Sequence, residues 1–207
     1  MIELDVQLTR DRRLVVLHDL ALGRTVAKSG WVRDYDLATL QSNDAGTWFD
    51  PAYSAEHVLS LDEVLDLTGQ HTALNVEIKS PQTDWQPTAE VLIALLAQRA
   101  VSASTIISSF DIGALRWVRA VEPRARIGVL WQSEDLEPAW SHVAALGAGS
   151  LHLWWGLVDD RVLAESRHRG LPILAWTVND IEVMRRLVRG GVGGVISDFP
   201  ERFASLE

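Results

Sequence analysis

The sequence predicts an α/β protein built on a parallel sheet, and three observations carry that reading. From residue 73 to the C-terminus, short β-branched runs alternate with helix-length segments. The segments between strands are long enough to be crossover helices, which parallel pairing requires. No stretch has linker composition, and 207 residues suit one domain, so a single domain over 1–207 is expected.

Taken in order, residues 2–7 read as a strand, followed by a turn at Asp11-Arg12-Arg13 and a short β-branched run over 14–17. Residues 23–59 are irregular, with one short helix expected near 36–41. Ser60-Leu61-Asp62-Glu63 is a capping-box pattern opening a helix that Gly69 ends. Strands are then expected at 73–79, 105–109, 126–131, 150–153, 172–178 and 194–197. Helices are expected at 88–99, 112–121, 136–146, 159–169 and 181–188. The main strands number seven. A (β/α)8 TIM barrel has eight, so the chain reads as such a barrel lacking its first βα unit and carrying an inserted segment after the first visible strand, roughly 19–59.

Composition removes several function classes. The net charge of −9 lacks the basic field with which nucleic-acid binders collect phosphates. The absence of cysteine excludes disulfide scaffolds, thiol catalysis and cysteine-ligated metals. No run approaches the roughly 18 apolar residues of a membrane span. The opening Met-Ile-Glu-Leu-Asp has acids where a signal peptide carries bases. A cytoplasmic location is the expectation, with secretion left open.

Strand alternation places Glu3, Asp5 and Gln7 on one face of the first strand, and Asn75, Glu77 and Lys79 on one face of the next main strand. In a barrel the polar face looks into the lumen, where converging carboxylates repel unless a cation neutralises them. All-oxygen ligation points to Mg²⁺ or Ca²⁺ rather than zinc. The competing readings are a solvated strand face in a half-exposed sheet and a pair of structural ion pairs with Lys79. His18 ends a strand run at a loop, where a histidine can exchange protons near neutral pH. His152 alternates with Leu151 and Leu153 and is a candidate to touch a ligand, whereas His57, His71, His142 and His168 read as loop or helix-surface residues. The glycine run 190–194 precedes a strand and reads as a tight turn rather than a phosphate cradle. Trp176 straddles a strand's C-terminal end, where barrel enzymes bind ligands. Trp154-Trp155 is the one apolar pair suited to a lipid surface.

Motifs along nearly the whole chain resemble the glycerophosphodiester phosphodiesterase family. They are Ile2-Glu3-Leu4-Asp5-Val6-Gln7, Val16-Leu17-His18-Asp19 with Arg24-Thr25, and Ala45-Gly46-Thr47-Trp48-Phe49-Asp50. Further on come Leu61-Asp62-Glu63-Val64-Leu65, Asn75-Val76-Glu77-Ile78-Lys79, Ser108-Ser109-Phe110-Asp111, Trp176-Thr177-Val178-Asn179-Asp180 and Ser197-Asp198-Phe199-Pro200. The resemblance implies a (β/α)8 barrel and a divalent-metal hydrolase that splits glycerophosphodiesters into an alcohol and glycerol 3-phosphate. It implies Glu3, Asp5 and Glu77 as metal ligands, His18 as general acid/base, Lys79 as a phosphate contact and Trp176 as a wall for the glycerol moiety. The family opens with a strand bearing a His-Arg-Gly motif, whereas this sequence begins at the strand that follows it. The expectation is therefore a gene start further upstream, a shortened, metal-binding but catalytically weak relative, or a gap filled by self-association, with either a severely reduced rate or a substitute such as His152 for the partner histidine. The alternatives carried forward are a metal- or phosphate-binding remnant and a phospholipid head-group phosphodiesterase on the same barrel.

Overall fold

The computed structural model describes residues 1–69, 72–79 and 84–206; His71 lies outside the described residues. The described chain forms two compact units, Met1–Ala125 and Arg126–Glu207.

In the first unit, β1 (Ile2–Leu8), β2 (Leu14–Val16), β3 (Leu74–Ile78) and β4 (Thr105–Ser109) lie in the order β2-β1-β3-β4. β1 pairs in parallel with β3, which pairs in parallel with β4. β2 runs antiparallel to β1, with Val6 opposite Val16 and Leu8 opposite Leu14. The run read at 14–17 is thus a hairpin return. Five residues separate it from β1, too few for a crossover. Arg12 sits in the left-handed region at φ 58° in that turn, its N–H donating to the Thr9 carbonyl at 3.0 Å.

Helices α1 (Leu37–Gln41), α2 (Leu61–Thr68), α3 (Gln86–Gln98) and α4 (Ile112–Val121) complete the unit. The segment after β2 has a small core of its own, in which Val15, Leu17, Val26, Val32, Leu37, Leu40 and Val58 pack together. Gly46 has no room for a side chain there, because a Cβ would lie 2.0 Å from the Tyr53 carbonyl oxygen. The capping box at Ser60 forms as read. The Ser60 hydroxyl accepts from the Glu63 N–H at 3.3 Å, and the Glu63 carboxylate accepts from the Ser60 N–H at 2.7 Å.

The second unit is a run of parallel strands, β5 (Arg126–Trp131), β6 (Ser150–Trp154), β7 (Ile173–Trp176) and β8 (Gly194–Val195), each paired with the next. Between them lie α5 (Glu137–Leu146), α6 (Asp160–Arg169) and α7 (Ile181–Arg189). Asp159 and Asp180 cap α6 and α7 through side-chain oxygens. The glycine run is a turn: α7 ends at Arg189, Gly191 has φ 83°, and a Cβ on Gly193 would lie 2.6 Å from that of Pro172. β1 and β3 to β8 are the seven main strands read from the sequence.

Replacing Ser60 with Ala removes one half of the capping box from a buried position. The expected cost is about 0.5–2 kcal/mol, read as a lower urea midpoint with an unchanged m-value.

Candidate active site

The site is built on the register of β1 and β3. Glu3 pairs with Asn75 and Asp5 with Glu77, so residues sharing one face of both strands lie side by side. Glu3, Asp5 and Glu77 each offer a carboxylate oxygen, and these oxygens lie within 4.8 Å of one another. Leu4, Val6, Val76 and Ile78, on the opposite faces, are buried in the apolar packing.

Lys79 follows β3 and holds its place through its N–H, which donates to the Val6 carbonyl at 3.1 Å. Its ammonium lies 2.7 Å from Glu77 Oε1 and 3.0 Å from Asp5 Oδ1. Burial pushes Glu77 up to about 7, with Asp5 adding to the rise and Lys79 opposing it. Burial works against the charge on Lys79, but Glu77 and Asp5 outweigh it and leave its pKa raised. One ammonium is thus shared between two carboxylates, Asp5 and Glu77, with the Glu3 carboxylate close beside them. That imbalance, together with an all-oxygen donor set, suits a hard divalent ion. Two further oxygens border the same face. Asn75 Oδ1 and Ser108 Oγ are buried without hydrogen-bond partners among the described residues, and Ser108 is the register partner of Glu77. Buried polar atoms left unpaired mark places where water, an ion or a ligand group belongs. The residues fit a divalent metal.

The hairpin ties His18 to this strand pair. The Leu17 N–H donates to the Asp5 carbonyl at 3.0 Å. The buried Gln7 amide donates to the Leu17 carbonyl at 2.6 Å and to the Asp19 carbonyl at 2.8 Å, bracketing His18 from both sides. The His18 ring is exposed, and its Nδ1 lies 2.9 Å from Asp19 Oδ1. Because a carboxylate only accepts, Nδ1 carries the proton in that bond and Nε2 is the free atom. Arg24 clasps Asp19 from the other side, Nε donating to Oδ2 at 2.5 Å and Nη2 to Oδ1 at 3.0 Å. The Arg24 guanidinium in turn stacks 4.9 Å from the centre of the Trp48 ring. The Arg24 bond holds Asp19 down to about 2, with burial opposing and His18 assisting.

The sequence candidates Glu3, Asp5, Glu77 and Lys79 are thus brought together, and His18 stands one residue from a backbone bond to Asp5. His152 and Trp176 lie in the second unit. His152 is fully buried, its Nε2 2.8 Å from the Ser150 hydroxyl and its ring filling the space where Gly128 lacks a side chain. Burial lowers its pKa to about 4, so it is neutral near pH 7, and its Nδ1 has no partner among the described residues. Trp176 is half-buried at the end of β7. The loops beside it are pinned by Asn179, whose amide donates to Asp198 at 2.8 Å and whose carbonyl oxygen accepts from Ser197 at 3.2 Å. Of the remaining histidines, His57 and His168 are exposed, and His142 is half-buried with its ring 6.1 Å from that of Trp131. Sequence reasoning quoted Asp19, Arg24 and Gln7 within motifs but gave them no role. The signal available was an acid directly after a candidate histidine with an arginine five residues on.

The model of the glycerophosphoryl diester phosphodiesterase family matches residues 1–202. A glycerophosphodiester phosphodiesterase of Caldanaerobacter subterraneus is 36% identical over 99% of this chain and 84% of its own length. One from Bacillus subtilis is 33% identical over the whole of this chain and 76% of its own. Among solved structures, a phosphodiesterase of Oleispira antarctica in complex with the product sn-glycerol-3-phosphate superposes with a TM-score of 0.91. It is 28% identical, over 99% of this chain and 83% of that one.

The depressed Asp19 pKa has a direct consequence for stability. A carboxylate held below its ordinary 3.8 stabilises the fold above that value, and the contribution is lost as pH falls toward about 2. The advantage of the wild type over Asp19→Asn in urea midpoint should therefore be full at pH 5 to 7 and shrink through that acid window.

Proposed function

The chain belongs to the glycerophosphoryl diester phosphodiesterase family, whose named relatives are phosphoric diester hydrolases, and from that premise we propose that it splits glycerophosphodiesters into an alcohol and glycerol 3-phosphate at a divalent metal site. The observation that carries the reading is the convergence of Glu3, Asp5 and Glu77 within 4.8 Å, with the Lys79 ammonium bridging two of them. Glu3, Asp5 and Glu77 would hold Mg²⁺ or Ca²⁺. When bound, such an ion supplies Lewis-acid polarisation of the phosphoryl oxygens and lowers the pKa of an attacking hydroxyl.

The chain's own residues account for the rest. Lys79 neutralises charge in the site and is placed to share its ammonium with a phosphate oxygen. His18 moves a proton at Nε2, the atom its bond to Asp19 leaves free. Asp19 fixes the tautomer and the plane of that ring, as the aspartate of a Ser-His-Asp triad does for its histidine. Trp176 and His152, the further substrate contacts expected from the sequence, belong to the second unit, where His152 is fully buried with its Nδ1 unpartnered among the described residues. A relative bound to sn-glycerol-3-phosphate supports that moiety as the retained product.

A second reading, hydrolysis of a lipid-borne diester, is favoured by one observation. Trp48, Phe49 and Tyr53 form an exposed aromatic cluster in the segment after β2, with ring centroids 5.9 and 5.7 Å apart. Trp154 and Trp155, the pair the sequence marks for a lipid surface, lie with ring centroids 5.8 Å apart, Trp154 exposed. Turnover of lysophosphatidylcholine above that of glycerophosphocholine would favour this reading.

The deciding experiment is release of glycerol 3-phosphate from glycerophosphocholine with Mg²⁺, Ca²⁺ or chelator. The expected result is metal-dependent turnover that Glu77→Gln abolishes and that His18→Ala lowers by about 10²- to 10⁴-fold. A folded protein that binds metal and releases no product would leave the remnant reading.

The role of Asp19 is separable from simple folding. Asp19→Asn is expected to lower kcat by about tenfold or more with KM nearly unchanged, and to alter the pH dependence of kcat. A proportional loss of folded protein with normal kinetics per folded molecule would reduce Asp19 to a structural part.

A further inference from the structure

A cleft of about 400 Å³ in the first unit shares Gln7 and Lys79 with the site and is lined further out by Arg10, Arg12, Arg33, Trp31 and Asp84. Four of these side chains are cations and one is an acid, in a chain whose net charge is −9. We propose that this cleft receives the leaving alcohol and selects alcohols that carry an anionic group of their own, a carboxylate or a phosphate. The inference rests on the hydrolase reading above and specifies its substrate class.

The three arginines are not equally committed. Arg10 makes two bonds to Asp36, at 2.9 and 2.7 Å, so its charge is largely answered. Arg12 meets Glu90 only at 3.7 Å and Arg33 meets Asp84 at 3.4 Å, and both are exposed. Loose, exposed pairs of this kind contribute little and exchange partners readily, whereas a guanidinium can grip an incoming carboxylate or phosphate with two bonds. Arg12 also occupies a left-handed backbone position that a glycine would hold more easily. The charge is therefore present at some conformational cost, at the tip of the hairpin whose base carries Asp5.

A cationic head group such as choline would instead seek an aromatic face and a carboxylate. Trp31 and Asp84 are both in the cleft, but the Arg33 charge stands beside each, 5.7 Å from the Trp31 ring and 3.4 Å from Asp84. That charge repels a second cation at the same place.

The test compares matched diesters that differ by one anionic group: glycerophosphoserine against glycerophosphoethanolamine, and glycerophosphoinositol 4-phosphate against glycerophosphoinositol. The first pair reports on a carboxylate and the second on a phosphate. The wild-type chain is expected to favour the anionic member of at least one pair by about tenfold in kcat/KM, the scale of one charge-assisted contact. Arg12→Gly, which suits the left-handed backbone, and Arg33→Gln should each bring that ratio toward one while thermal unfolding confirms a folded protein. A ratio near one in the wild type, a preference for the uncharged or cationic member, or a ratio that survives both substitutions overturns the subsite. No turnover of any of the four diesters overturns the hydrolase reading and the inference with it.

Discussion

Everything at the candidate site depends on three carboxylates being forced together. Like charges at this separation cost free energy unless cations answer them, and burial raises the cost by removing water. The register of β1 against β3 does the forcing. With Asp5 opposite Glu77 and Glu3 opposite Asn75, the acids share one face and lie in adjacent rows. A slip of one residue would turn the whole set of one strand to the apolar side and put Leu4 and Val6 where the acids belong. The apolar burial of Leu4, Val6, Val76 and Ile78 therefore holds the repulsive cluster in place. Folding energy stored in one face is spent on charge convergence in the other.

The hairpin makes the same strand organise a second kind of chemistry. β2 returns along β1 at once, so the residues after it are fastened to β1 by the Leu17 bond to Asp5 and by the two bonds from Gln7. Gln7 is on the carboxylate face, yet it carries no charge and serves as a clamp. From there the chain His18, Asp19, Arg24 and Trp48 runs outward through an ion pair and a cation–π contact. Each link narrows the freedom of the one before, which is how an exposed imidazole acquires a defined orientation on a loop.

Much of this was legible in residue order, for identifiable reasons. Alternation in β1 and β3 marks Glu3, Asp5 and Glu77 because a strand's period of two is unambiguous when one face is wholly apolar. Ser60 and Glu63 announce their helix because a capping box is a local device. The direction of β2 was not legible. Three aliphatic residues look the same whichever way they run, and only the five-residue turn decides. The Asp19–Arg24 clasp was not legible as a role, since five residues of irregular chain set no distance. The arginine cleft was still less so. It assembles Arg10, Arg12, Trp31, Arg33, Lys79 and Asp84, and no local pattern reports that these segments meet.

Charge distribution connects these levels. The chain is acidic overall, and among the described residues three carboxylates converge where β1 and β3 meet. Lys79 offsets part of their charge from within, while arginines gather on the loops just beyond. A phosphodiester approaching this unit would meet cations first and carboxylates last. That order has physical sense, because an anion cannot be drawn directly onto three carboxylates, but it can be held by guanidinium groups and an ammonium at their border. Lys79 belongs to both regions, bonded to Asp5 and Glu77 while lining the arginine cleft. Its position makes the inner acidic face and the outer basic one a single electrostatic arrangement, in which cations answer the carboxylates that the strand register brings together and guanidinium groups answer an incoming anion.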